Sequence, residues 1–379
     1  MLKKHAELGL RMASPERELE RLLPVMEKLQ LDMVALVGGA NFQRIFRWDF
    51  HQNERPLVVM LTRQGRAVAV VPHLELPSFE PLGFKGEVFH WRDETGYEAA
   101  FREAGAALGG LKRIGVEGQR MRVFEQLALA RAFPGAEIVD AHAAISAIRL
   151  HKTADEIAEM RKAIQISETA LAATIRDVRI GMTEAEVEGL LIGQLFAAGA
   201  HSLAFSPIVA AGDNSAQSHA KARPGYRIKA GDALLFDFGG AVNGYNADIT
   251  RTFFLGHVSD GDRAFYDTVN AANAAGRATA RAGITASALD DAVLGVLEAS
   301  PYRHFMRHKT GHGLGLEVHE DPYIMRGNGT VLAAGMVFTI EPGLYENDRI
   351  GVRIEDDVVV TEDGIDVLTS FPRELTIIG

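Results

Sequence analysis

Two acids occupy places where a carboxylate is costly. Asp237 lies in "LLFDFGG", between Phe236 and Phe238, and Glu341 ends the apolar run of "VFTIEPG". A lone carboxylate in a buried strand loses on the order of several kcal/mol of hydration unless it is paired or metal-bound. A turn follows each strand, and then a second acid in an extended segment: Asp248 in "NADITRT" and Glu355 in "VRIEDDVVV". Each stretch thus reads as a hairpin bearing two carboxylates. If the two hairpins fold together, four like charges converge, and two divalent metals would neutralise them. The nitrogen ligand is expected from "HKTGHGLGLEVHEDP", His308 to Pro322. A His-x-x-x-His pair on a helix puts both rings on one face. Gly311, Gly313 and Gly315 argue against a helix, since each costs about 1 kcal/mol relative to alanine. An extended segment sets His312, Leu314 and Leu316 on one side, so His308 and His312 need not share an ion. His312 is the expected ligand. Asp357 and Glu362 are read as ordinary acids.

The elements that carry these residues repeat. "RIGMTEAEVEGLLIGQLF" from Arg179 and "RAGITASALDDAVLGVL" from Arg281 share R-x-G-[MI]-T followed by a helical pattern. "KAGDALLFDFG" from Lys229 matches "AAGMVFTIEPG" from Ala333, in the same order. Two matches in register imply two related halves and a pseudo-symmetric α+β domain. Thr183 with Glu186 forms a capping box in the first half, and Thr153 with Glu156 forms another where the domain begins. Before that boundary the pattern differs. "SPERELERLLPVMEKLQ" has helical periodicity, with Ser14 as its N-cap. "DMVALVG", "PLVVMLT", "AVAVVPH", "RIGVEG" and "EIVDA" read as strands. Arg63-Gln64-Gly65-Arg66 joins the second and third as a hairpin. The expected division is 1–148, an α/β domain, and 149–379, the repeated domain.

Composition narrows the chemistry. The chain has 379 residues, of which 47% are hydrophobic, enough for two cores. A net charge of −10 argues against a dedicated nucleic-acid binder. The absence of cysteine removes disulfides, thiolate nucleophiles and sulfur-ligated metals, leaving His, Asp and Glu as ligands. No run of 18 apolar residues suggests a membrane span, and "MLKKHAELGL" lacks the pattern of a signal peptide. A soluble, cytoplasmic protein is expected.

"DFGGAVNGYNADITRT", "TGHGLGLEVHEDP", "TIEPGLY" and "VRIEDDVVVTEDG" together resemble the signature blocks of the M24B metallopeptidases with the pita-bread fold. Within that family the likeness is to Xaa-Pro dipeptidases (prolidases) and aminopeptidase P. The residues before 149 resemble the creatinase-type N-terminal domain. The resemblance implies two metals, with Asp237 on one, His312 and Glu341 on the other, and Asp248 and Glu355 bridging. An oxygen-rich site with one imidazole suits manganese and also accepts cobalt, zinc or iron(II). A hydroxide held by the two metals would attack the Xaa-Pro bond, with Glu341 as proton acceptor. His219 and His319 match histidines that assist at the tetrahedral intermediate and the leaving group, and His308 one that lines the proline-side pocket. Tyr345 and Arg353 match residues beside the metals. A homodimer is common in the family.

Two departures stand out. Ser218 replaces the proline that commonly precedes the histidine at 219, and a local loop change is expected. "NFQRIFRWDFHQNERP" carries Arg44 and Arg47 where relatives often have a tyrosine and a glycine. Either these are solvated loop arginines, or one reaches the active-site mouth, of a partner subunit for instance, and pairs with the free carboxylate of a dipeptide. The second reading favours a prolidase acting on Xaa-Pro dipeptides. The alternatives are aminopeptidase P, acting on longer peptides, and a non-catalytic peptide-binding relative. The non-catalytic type is expected to lack several of the five ligands, and all five are present.

Overall fold

The computed structural model describes residues 15–379, and side-chain environments from Glu20 onward. Ser14 lies outside the described residues, while the helix it was expected to cap runs over Pro15–Lys28. The chain divides between Arg149 and Leu150 into two compact units. No helix among the described residues is long and apolar enough to cross a membrane.

The first unit is built on a six-stranded mixed sheet. Its strands run in the order Glu87–Trp91, Ala67–Pro72, Val58–Thr62, Met33–Val37, Arg113–Val116, Glu137–Asp140. Met33–Val37 and Val58–Thr62 are buried along their whole length. Such runs are apolar throughout because both faces are covered. Val34, Leu36 and Val59 face a core with Phe42 and Ile45, whereas Met33, Ala35 and Met60 face one with Phe101 and Leu129. The expected hairpin forms at Gly65, whose φ of 83° suits a residue without a Cβ.

The second unit contains the repeat. Helices Glu184–Ala197 and Ala286–Glu298 are capped by Thr183 and Thr285. Both capping threonines also form an isolated bridge, Thr183 to Arg227 and Thr285 to Val331. Each half then lays three neighbouring strands side by side. In the first these are Ile208–Ala211, Ala233–Phe238 and Ile249–Leu255. In the second they are Gly311–Gly313, Val337–Ile340 and Asp356–Val360. The long helices Ala154–Asp177 and Asp260–Thr279 precede the two copies. Thr153 and Glu156 form the expected capping box, with Thr153 N–H donating to Glu156 Oε2 at 2.8 Å. Two apolar cores result, one gathered around Leu191 and Phe236, the other around Val293 and Phe338.

Candidate metal centre and its cavity

Asp237 and Glu341 fall at corresponding places at the ends of their strands, and the second acid of each half approaches from the adjoining segment. Asp248, His312 and Glu355 are all buried, and each offers one ligand atom within 4.8 Å of the others. His312 Nε2 lies 3.7 Å from an Asp248 oxygen and 3.4 Å from a Glu341 oxygen. His312 Nδ1 sits 3.2 Å from the Gly313 carbonyl, a contact that requires the proton on Nδ1 and leaves the Nε2 lone pair facing the acids. Burial, and secondarily the charge of His319, push the His312 pKa down to about 3, so the ring is neutral.

The backbone of the histidine segment is threaded between its neighbours. A Cβ at Gly311 would stand 2.0 Å from the Thr339 carbonyl oxygen, and one at Gly313 would stand 2.2 Å from that of Asp321. The glycines therefore permit close backbone approach on either side of His312.

The acids lack protein cations to match their number. Burial raises the pKa of Asp248 and Glu355 well above the carboxylate range, and neighbouring carboxylates add to the shift. Glu341 is raised to about 7, chiefly by burial and against the opposing pull of Arg353. Arg353 binds Asp237 Oδ2, while Asp237 Oδ1 is buried without a partner. Oxygen-rich groups, one neutral imidazole nitrogen and an orphaned carboxylate oxygen form a donor set that fits divalent cations.

Arg353 begins a chain of hydrogen bonds along the cavity wall. Its Nε donates to Thr250 Oγ1 at 2.9 Å, and Thr250 donates onward to Glu355 Oε2 at 2.6 Å. Its Nη1 donates to the Tyr345 hydroxyl at 2.7 Å, which lies 2.8 Å from His308 Nε2. His308 Nδ1 is 2.8 Å from the Lys309 carbonyl, so Nδ1 carries the proton and Nε2 accepts from Tyr345. Burial first, then Arg353, lowers the His308 pKa to about 4. His308 is a neutral, fully engaged wall residue.

A cavity of about 450 Å³ opens onto this cluster. It is lined by all five candidate ligands, by His219, His308, His319, Arg353 and Ser218, and by the apolar side chains of Phe205, Ile208 and Val318. The His319 ring lies 4.1 Å from that of His312, centroid to centroid. His219 is exposed and follows the short 3-10 turn Gly212–Ala216. Buried Glu184 fixes that loop, accepting from Ala211 N–H at 2.8 Å, from the Asn214 amide at 3.0 Å and from Arg223. Tyr345 adjoins the cavity through its bonds to His308 and Arg353.

Arg44 differs from the reading as a solvated loop arginine. Arg44 is no loop residue; it lies in the helix Ala40–Phe46 with its side chain fully buried. Arg47 caps that helix in the left-handed conformation and is half-buried. Helical structure wins because Phe42, Ile45 and Phe46 pack into the core of their unit. Asp357 also departs from the reading as an ordinary acid: it is wholly buried, and its Oδ2 accepts from the Asp248 backbone N–H at 3.1 Å. Glu362 is exposed.

Sequence reasoning passed over Thr250, Thr339 and Lys309. Thr339 Oγ1 accepts from the His312 N–H at 3.2 Å, and Lys309 lines the cavity. Strand alternation held the signal for both threonines, since each stands two residues from an acid and so shares its face.

Comparison with known proteins bears on the family and the fold. The model for metallopeptidase family M24 matches residues 158–362, and that for the creatinase/prolidase N-terminal domain matches residues 18–151. A prolidase from Thermococcus sibiricus is 31% identical with a TM-score of 0.90, covering 96% of this chain and 99% of its own. An Xaa-Pro dipeptidase from Bacillus anthracis is 30% identical with a TM-score of 0.88, covering 96% and 100%. An X-Pro aminopeptidase from Thermotoga maritima is 29% identical with a TM-score of 0.81, covering 93% and 99%.

Proposed function

The chain belongs to metallopeptidase family M24, with a creatinase-type N-terminal domain and a pita-bread C-terminal domain, and from that premise we propose that it is an Xaa-Pro dipeptidase. The observation that carries this reading is the meeting of four carboxylates and one neutral imidazole in a cavity whose other walls bear three histidines. Family membership implies divalent metal ions. We take their number as two, with manganese the first choice and cobalt, zinc or iron(II) as substitutes. Asp237, Asp248, His312, Glu341 and Glu355 would hold them. We take residues 1–148 and 149–379 as the two domains, and a cytoplasmic homodimer as the working form.

When bound, such cations make water nucleophilic near neutral pH and polarise a carbonyl. The remaining work falls to the side chains. Glu341, on the cavity wall among the candidate ligands, is the group we assign to accept a proton from the attacking water and pass it on. An Xaa-Pro bond has no amide hydrogen, and its leaving group is a secondary amine that must be protonated. His219 and His319, both on the cavity wall, are the groups we assign to that proton and to the carbonyl oxygen. His308, neutral and held by Tyr345, gives the proline side an uncharged wall. Phe205, Ile208 and Val318 exclude water around the substrate.

The test is metal-stripped protein incubated with Ala-Pro or Ala-Pro-Ala and each metal in turn. Metal-dependent proline release from Ala-Pro, with little tripeptide cleavage, is expected. Preferential cleavage of the tripeptide would make the protein an aminopeptidase P, and no cleavage of either would end the Xaa-Pro reading.

A further inference from the structure

We propose that Lys309 binds the free C-terminal carboxylate of the substrate and thereby sets the preference for dipeptides over longer chains. The assignment rests on the dipeptidase reading and names the group that enforces it.

Three Lys or Arg side chains line the cavity: Arg307, Lys309 and Arg353. Two are committed. Arg353 gives its three nitrogens to Thr250, Tyr345 and Asp237. Arg307 donates to the carbonyls of Ala216 at 3.1 Å and Tyr345 at 3.2 Å, and to the Asn347 side chain. Lys309 Nζ makes no hydrogen bond or ion pair among the described residues. It lies 5.4 Å from the centre of the Tyr323 ring, a contact that steadies the ammonium without satisfying its N–H groups. The residue is half-buried, and its charge helps to depress the pKa values of His308, His312 and His319. The ammonium therefore acts on the same space as the candidate ligands.

The substrate supplies the missing partner. In a dipeptide only one residue, roughly 3.5 Å of chain, separates the scissile bond from the terminal carboxylate. With the bond at the acid cluster, that carboxylate falls inside the cavity. An ammonium with three open donors then gains a charge-assisted hydrogen bond to an anion. In a longer peptide the same position carries a neutral amide, a weaker acceptor for a cation.

Lys309→Met and Lys309→Arg, loaded with metal, should be compared with the parent on Ala-Pro and on Ala-Pro-amide. Lys309→Met is expected to raise KM for Ala-Pro about 10- to 100-fold, with kcat within about twofold. KM for the amide should stay near the parent value, and Lys309→Arg should recover much of the dipeptide affinity. Equal effects of Lys309→Met on both substrates, or none on either, would overturn the carboxylate assignment while leaving the dipeptidase reading intact. A parent protein that cleaves neither compound would remove that reading, and this assignment with it.

Discussion

Asp248 is positioned through its main chain as well as used through its side chain. Its backbone N–H is buried and donates to Asp357 Oδ2, while the Asp357 N–H donates to Thr369 Oγ1 at 2.9 Å. Burial raises the Asp357 pKa well above the usual range. Asp357→Ala would leave the Asp248 N–H without an acceptor, at a cost of about 1–3 kcal/mol, and would loosen a candidate ligand. Loss of such a supporting bond typically lowers metal affinity about 10- to 100-fold. Asp357→Asn keeps an oxygen acceptor and should bind metal nearly as the parent does. Calorimetric titration with manganese separates the two variants. Equal weakening in both would mean that the charge of Asp357, and not its hydrogen bond, supports the site.

At the scale of elements, the turn that presents His319 is pinned from a distant part of the chain. Lys152 Nζ lies 2.6 Å from Glu320 Oε1, with both side chains at most 4% exposed. Gly315 packs against them: a Cβ there would meet Glu320 Oε1 at 2.9 Å and Lys152 Cε at 3.0 Å. Lys152→Met strips Glu320 of its ammonium in a buried setting and should destabilise the unit by about 3–5 kcal/mol. Adding Glu320→Leu should restore most of the melting temperature, because removing both charges also removes the desolvation they share. If the double variant melts no higher than the single one, the pair is not the cause. This contact also marks where sequence reading stops. Capping boxes at Thr153–Glu156 and Thr183–Glu186 were legible because their partners stand three residues apart. The strands with Asp237 and Glu341 were legible because a carboxylate in an apolar strand contradicts its surroundings, and the repeat fixed the register. Lys152 with Glu320, Glu184 with Arg223, and Asp248 with Asp357 pair across long stretches without a motif. Arg44 was misread because "NFQRIFR" looks like a polar loop until Phe42 and Ile45 are seen to share a buried helix face.

For the whole catalytic unit, the candidate centre is a junction between the two halves of the repeat. Asp237 and Asp248 come from the first half, and His312, Glu341 and Glu355 from the second. A divalent cation held there ties the halves together in the folded state, so binding should raise the melting temperature. At free metal 100 times Kd the gain is about 2.7 kcal/mol, or roughly 5–10 °C for a unit of this size. The increment should depend on pH, and the sign follows from Glu341. Its pKa rises from an ordinary 4.5 to about 7 on folding, mainly through burial. Without metal, the folded state therefore holds a proton that the unfolded chain has released between about pH 4.5 and 7. That group's cost to stability is absent below this window and complete above it. Asp248 and Glu355, raised in the same direction, reinforce the trend. His312 is neutral throughout this range and adds no opposing term. Cations must displace the retained protons, so they bind more weakly at pH 6 than at pH 8. Thermal melts with and without manganese at the two pH values test this directly. A larger metal-induced rise at pH 8 is expected, together with a metal-free form that loses less stability from pH 8 to pH 6 than Glu341→Gln does. An increment that is equal at both pH values, or larger at pH 6, would mean that the carboxylates are already ionised without metal and that protein groups neutralise them.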